Sequence, residues 1–195
     1  MQTGAVASST AKESGLFIDG LFGEFPVMKN ILLLTATITP PSGVPDLRRT
    51  SPLHRMADYR RALEFYCELP ETIITHIVFV ENSGTDISPL REVVLKRHAS
   101  HRVEFVTFNG LDYPSNYGRG YGEFKLMDYA VGHSDILRSA QSHDRLWKVT
   151  GRYRVLNLPK LLKTAPAQFE LYCDRRGPGC LNRFSASISG SVCRG

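Results

Sequence analysis

The chain has 195 residues, 42% hydrophobic and 22% charged, the balance of one ordinary soluble globular domain with extensions. No apolar run approaches the roughly 20 residues that cross a bilayer. No basic segment followed by an apolar block opens the chain, which argues against a secretory signal. The net charge of +5 suits an anionic substrate and is too weak, by itself, to argue for nucleic acid.

Residues 1–27 carry a net charge of −2, are rich in Gly, Ser and Ala, and show little periodicity. They read as a flexible leader that is not native, with the protein beginning afresh at Met28; a genuine flexible arm is the alternative. "ILLLT" (31–35) is fully apolar, as in a strand buried on both faces. A Pro/Gly-rich connection follows, and Ser51–Pro52 is an N-cap and N1 signal for a helix. In it Met56, Tyr59, Leu63 and Tyr66 form a core-facing stripe, and Cys67 falls on the same apolar side. "HIVFV" (76–80) is a second buried strand, 87–98 a second helix, and "VEFVTF" (103–108) a third strand. Residues 123–140 read as a long helix weakened at Gly132, and "RLWKV" (145–149) as a fourth strand. The alternation βαβαβαβ predicts an α/β fold, a mostly parallel Rossmann-like sheet with helices on both faces. It covers residues 28–165, and residues 166–195 form an irregular tail.

Open α/β sheets bind ligands beyond the carboxyl ends of their strands, where strand order reverses. The residues following each apolar run are Thr35, Thr37 and Thr39; Glu81, Asn82, Ser83 and Asp86; Asn109, Gly110 and Asp112; and Thr150, Gly151 and Arg152 after Lys148. "NYGRGYGE" (116–123) places Gly118, Gly120 and Gly122 at alternate positions before a helix start. Glycines let backbone amides approach an anion, and Arg119 supplies a phosphate contact. The pattern is neither a Walker loop nor a dinucleotide fingerprint. His98 and His101 read as a solvated helix end rather than a metal pair. "GHSD" (132–135) lacks the geometry of a catalytic triad. Trp147 reads as core, with Lys148 on the opposite face of its strand. None of Cys67, Cys173, Cys180 and Cys193 forms a CxxC pair, so no zinc site is expected, and the compartment reads as reducing and cytoplasmic.

Taken in order, "MKNILLLTATITP", the Arg/Tyr-containing helix, "IVFVENSGTD", "GRGYGEFKLMDYA" and "KVTGRYRVLNL" resemble a family of glycosyltransferases from bacterial surface-polysaccharide (lipopolysaccharide O-antigen and capsule) gene clusters. The resemblance covers residues 28–165. It implies a GT-A-type transferase that takes a nucleotide-diphospho-sugar donor and a saccharide or lipid-linked acceptor. The nucleotide would lie near Thr35, Thr37, Glu81, Asn82 and Ser83. The diphosphate would face Lys148, Arg152, Thr150, Gly151 and the loop of Gly118, Arg119, Gly120 and Gly122.

Many enzymes of this fold hold Mg²⁺ or Mn²⁺ with paired aspartates near the fourth strand. Here that place reads "KVTG", so no cofactor is expected and Lys148 and Arg152 would replace the metal; a divalent cation is the alternative. In an inverting transfer a carboxylate deprotonates the acceptor, and Glu123, ahead of Asp112, is the expected base. The resemblance further implies a cytoplasmic protein, at the inner face of the membrane, with peripheral contact, no transmembrane segment and no nucleic-acid partner. Past residue 165 the pattern dissolves into Arg, Gly, Ser and Cys. It reads as a truncated or out-of-frame end that would leave the acceptor side incomplete and the chain inactive. Two other readings of the residues stay open: a non-catalytic nucleotide- or phosphate-binding module, and a basic RNA-binding domain.

Overall fold

The computed structural model describes residues 28–44, 47–167 and 169. The expectations for the leader, for most of the tail and for Cys173, Cys180 and Cys193 fall outside them. The elements run β1 (Asn30–Ala36), α1 (Pro52–Cys67), β2 (His76–Glu81), α2 (Ser88–Lys96) and β3 (Val103–Thr107). A short 3₁₀ turn (Ser115–Tyr117), α3 (Gly118–His133), α4 (Asp135–Arg138), β4 (Arg145–Thr150) and α5 (Leu158–Thr164) complete them. All strand pairs are parallel, in the order β3-β2-β1-β4. This is the α/β, Rossmann-like sheet that the alternating pattern predicts.

The chain steps outward from β1 to β3, then returns across β1 to add β4. Strand order therefore reverses between β1 and β4, where Thr35 pairs with Thr150. Because successive strand residues face opposite sides, β1 feeds two cores. Leu32, Leu34 and Ala36 pack with Tyr59, Leu63 and Tyr66 of α1, Leu90 of α2 and Leu158 of α5. Ile31 and Leu33 pack with Val78, Val80 and, on α3, Leu126 and Ala130. Ser51 caps α1, its side chain accepting from the His54 amide at 3.5 Å.

The structure departs from the sequence reading in three places. The third helix begins five residues earlier than position 123, so the glycine segment is its first turns and not a preceding loop. Interior glycines cost about 1 kcal/mol each in a helix, but Gly122, Leu126 and Ala130 form its buried stripe. A Cβ at Gly122 would lie 2.0 Å from the Tyr113 hydroxyl, so glycine is what lets this turn approach its neighbour. The same helix ends at His133, past Gly132, and Ser134 starts α4 by accepting from the Leu137 amide at 3.1 Å. The second helix stops at Lys96, because the chain turns through His98 in the left-handed region, φ 53°. Finally, α5 is a helix that the sequence reading leaves unassigned, though Leu158 and Leu162 share its buried side.

Candidate functional site

The site is built at the β1–β4 junction. The Gly151 amide donates to the Thr35 carbonyl at 2.8 Å. A Cβ at Gly151 would lie 3.0 Å from that oxygen and 3.4 Å from Tyr59. The glycine that breaks the fourth strand thus lets its end close onto the central one. Before it, Trp147 sits in the α1 core and Lys148 faces α3. The Lys148 ammonium, on a side chain 4% exposed, pairs with the Glu123 carboxylate, which also accepts from the Thr35 hydroxyl. A buried ammonium needs such a partner, since desolvation costs several kcal/mol per ion.

On the other face, Arg55 and Tyr59 enter from α1. Arg55 donates from Nε to the Thr37 carbonyl (2.7 Å), from Nη1 to the Arg49 carbonyl (3.1 Å) and from Nη2 to Tyr59 Oη (3.2 Å). The Thr37 amide donates to the same phenol at 3.0 Å. Burial raises the Tyr59 pKa above its ordinary value, against the opposing pull of Arg55. The Arg55 residue is 6% exposed, and among the described residues no carboxylate pairs with it.

Between these groups lies a cavity of about 170 Å³, with apolar walls that include Pro40, Pro41, Leu111 and Leu126. It continues into an outer depression of about 740 Å³ lined by Arg48, Arg49, Asp58 and Tyr153. Arg119 and Arg152 line both. Asp58, the acidic residue of the depression among those described, is paired with Arg49 (3.1 Å) and Arg61 (2.5 Å). Gly118, at φ 76°, opens α3 beside the inner cavity, and the Tyr117 side chain at its N-cap makes no capping hydrogen bond.

The structure brings together Thr35, Thr37, Gly118, Arg119, Gly122, Glu123, Thr150 and Arg152 as lining residues. Lys148 and Gly151 support that lining from behind, while Gly120 is exposed and a Cβ there would meet open space. Glu81, Asn82 and Ser83 do not line the cavity. Glu81 is fully buried and accepts from the Ile38 amide (3.1 Å), the Ser83 amide (2.9 Å) and the Ser83 hydroxyl. Asn82 accepts from the Thr37 hydroxyl at 2.7 Å. Asp112 points to solvent and pairs with Lys125.

Sequence reasoning missed Arg55, Tyr59, Tyr113 and Arg48. Arg55 carried a signal: it lies four residues before Tyr59, on the side of the helix that faces the core. His101 is exposed and bonded to Glu71 at 2.6 Å. Among the described residues no group of three or more His, Cys, Asp or Glu comes together to hold a metal ion. No helix among them is long and apolar enough to cross a membrane. In comparison with known proteins, no family model matches the chain, and no curated protein or solved structure matches it significantly.

Proposed function

We propose that the protein is a GT-A-type glycosyltransferase that moves a sugar from a nucleotide-diphospho-sugar to a saccharide or lipid-linked acceptor in surface-polysaccharide assembly. One observation carries this reading: a cavity at the strand-order reversal, rimmed by Arg119 and Arg152, has Glu123 as its one lining carboxylate among the described residues. The inner cavity is smaller than the roughly 300–1,000 Å³ of most ligand sites. A nucleotide-sugar therefore spans both spaces, its diphosphate between Arg119 and Arg152 and at the uncapped start of α3.

In an inverting transfer the acceptor hydroxyl gives its proton to Glu123 as its oxygen bonds to the anomeric carbon. The bond from that carbon to the diphosphate breaks, and its electron pair leaves with the nucleoside diphosphate. Arg119 and Arg152 meet the developing charge, a contribution of about 3–4 kcal/mol for each donor. Lys148, bonded to Glu123, positions the base and does not touch the diphosphate. Glu123 is already engaged by Lys148 and Thr35 and stands among arginines, a poor donor set for Mg²⁺ or Mn²⁺. We therefore assign the leaving-group charge to arginines. A cytoplasmic placement at the inner membrane face follows from the donor class.

The double engagement of Glu123 also favours a second reading, a nucleotide-binding module without turnover. Calorimetry with UDP, GDP and CMP, followed by nucleoside diphosphate release from nucleotide-sugars with polysaccharide acceptors, separates the two. Binding with turnover that persists in EDTA supports the transferase; binding without turnover supports the module. Activity lost in EDTA and restored by Mn²⁺ contradicts the arginine assignment.

A further inference from the structure

Arg55 has no part in the transfer just described; of the two guanidiniums buried with no carboxylate partner among the described residues, Arg55 and Arg102, it is the one that lines the cavity. It is 6% exposed, lines the inner cavity and, among the described residues, has no carboxylate partner. Its partners are two carbonyls and the neutral Tyr59 phenol. These use three of the five N–H donors a guanidinium carries, leaving one N–H on each Nη. A buried charge without an opposite charge is costly, and the cost is recovered when a ligand supplies the anion.

Resting on the transferase reading, we propose that the donor carries an acidic sugar, a hexuronate, whose carboxylate is held by Arg55 at the inner end of the cavity. Three features favour a carboxylate over a second phosphate. Arg119 and Arg152, shared by the inner and outer spaces, already serve the diphosphate. The walls here are mostly apolar and Glu123 is another lining residue, which suits a monoanion better than a dianion. Two N–H donors on one planar group match a carboxylate bidentately. The same pocket places the sugar ring beside Glu123 and the Thr35 hydroxyl, where the acceptor hydroxyl must arrive.

The test is calorimetric titration of the full chain with UDP, UDP-glucose and UDP-glucuronate, and with GDP, GDP-mannose and GDP-mannuronate. A hydrogen bond to a charged group is worth about 1.5–3 kcal/mol, so the uronate should bind about ten- to a hundredfold tighter than the neutral sugar on the same nucleotide. Arg55→Met should erase that difference while leaving the free diphosphate within about twofold. Arg55→Lys should restore only part of it. Equal binding of uronate and neutral sugar overturns the inference but leaves the transferase reading standing. An Arg55→Met loss shared equally by all three ligands also overturns it, placing Arg55 on the diphosphate. Absence of binding by every nucleotide overturns both. The wild-type series decides even where Arg55→Met fails to fold.

Discussion

Two junctions on the same sheet edge end in polar residues, and they do opposite things. At the β1–β2 junction, Glu81 Oε1, Asn82 Oδ1 and the Ser83 hydroxyl bond to Ile38, Thr37, Thr39 and, for Glu81 and Ser83, each other. Glu81 Oε2 and Asn82 Nδ2 are buried with no hydrogen-bond partner among the described residues, and none of the three residues lines the cavity. At the β1–β4 junction, Thr35, Glu123, Arg55 and Arg152 surround open space. The strands at both junctions are parallel, so polarity at strand ends does not distinguish them. Strand order does. Neighbouring connections leave the first pair to the same side and cover it, whereas the connections from β1 and into β4 lie on opposite faces and part between them.

The sharpest way to break the comparison is Glu123→Gln. It removes the proposed base from the open junction while keeping a hydrogen-bonding side chain of the same size. Transfer should fall about 10²- to 10⁴-fold, with donor affinity nearly unchanged in calorimetry; an unaltered rate removes Glu123 from the chemistry. Arg152→Ala comes next. It should lower kcat/KM by about 10²- to 10³-fold with an unchanged melting temperature, since the side chain lies at the cavity rim.

The closed junction should respond in the opposite sense. Glu81→Ala strands three donors at its oxygen, so unfolding by urea should show a loss of about 1–3 kcal/mol. Its nucleotide affinity should stay within about twofold. Loss of nucleotide binding with full stability would make Glu81 a ligand and erase the contrast. The last effect is a dependence on pH. Burial pushes the Cys67 thiol up from 9.0 to about 11, and Tyr59 is raised in the same way. The folded state then holds protons that the unfolded chain releases. The stability that Cys67 lends is complete below about pH 9 and is lost as pH rises through about 11, and Tyr59 acts in the same sense. Urea midpoints measured across that window should decline; a flat profile would contradict the burial of these groups.

The sheet was legible in the sequence because β1 and β2, buried along their length, are near-continuous apolar runs, while the half-buried β3 and β4 keep apolar residues around Glu104 and Lys148. The Ser51–Pro52 cap was equally plain. The start of α3 was not, since three glycines argue for a loop. The close approach to Tyr113 accounts for Gly122 and the positive φ for Gly118; nothing in the structure requires glycine at 120. The pairing of Lys148 with Glu123 was half legible: strand alternation put Lys148 opposite Trp147. But its partner lies 25 residues away on α3, and no local pattern connects them. Arg55 showed as a charge on the stripe that buries Tyr59, Leu63 and Tyr66, but a helix face of that kind reads as core and not as the wall of a cavity.

The account depends on the arginine-lined cavity receiving a diphosphate. Titration of the wild-type chain and the Arg119→Ala/Arg152→Ala double variant with UDP and GDP at two salt concentrations tests this most directly. One nucleotide should bind the wild type, more weakly at higher salt, and the double variant should lose at least about a hundredfold in affinity. Equal binding by both proteins, or no binding by the wild type alongside strongly salt-dependent binding of RNA, would contradict it.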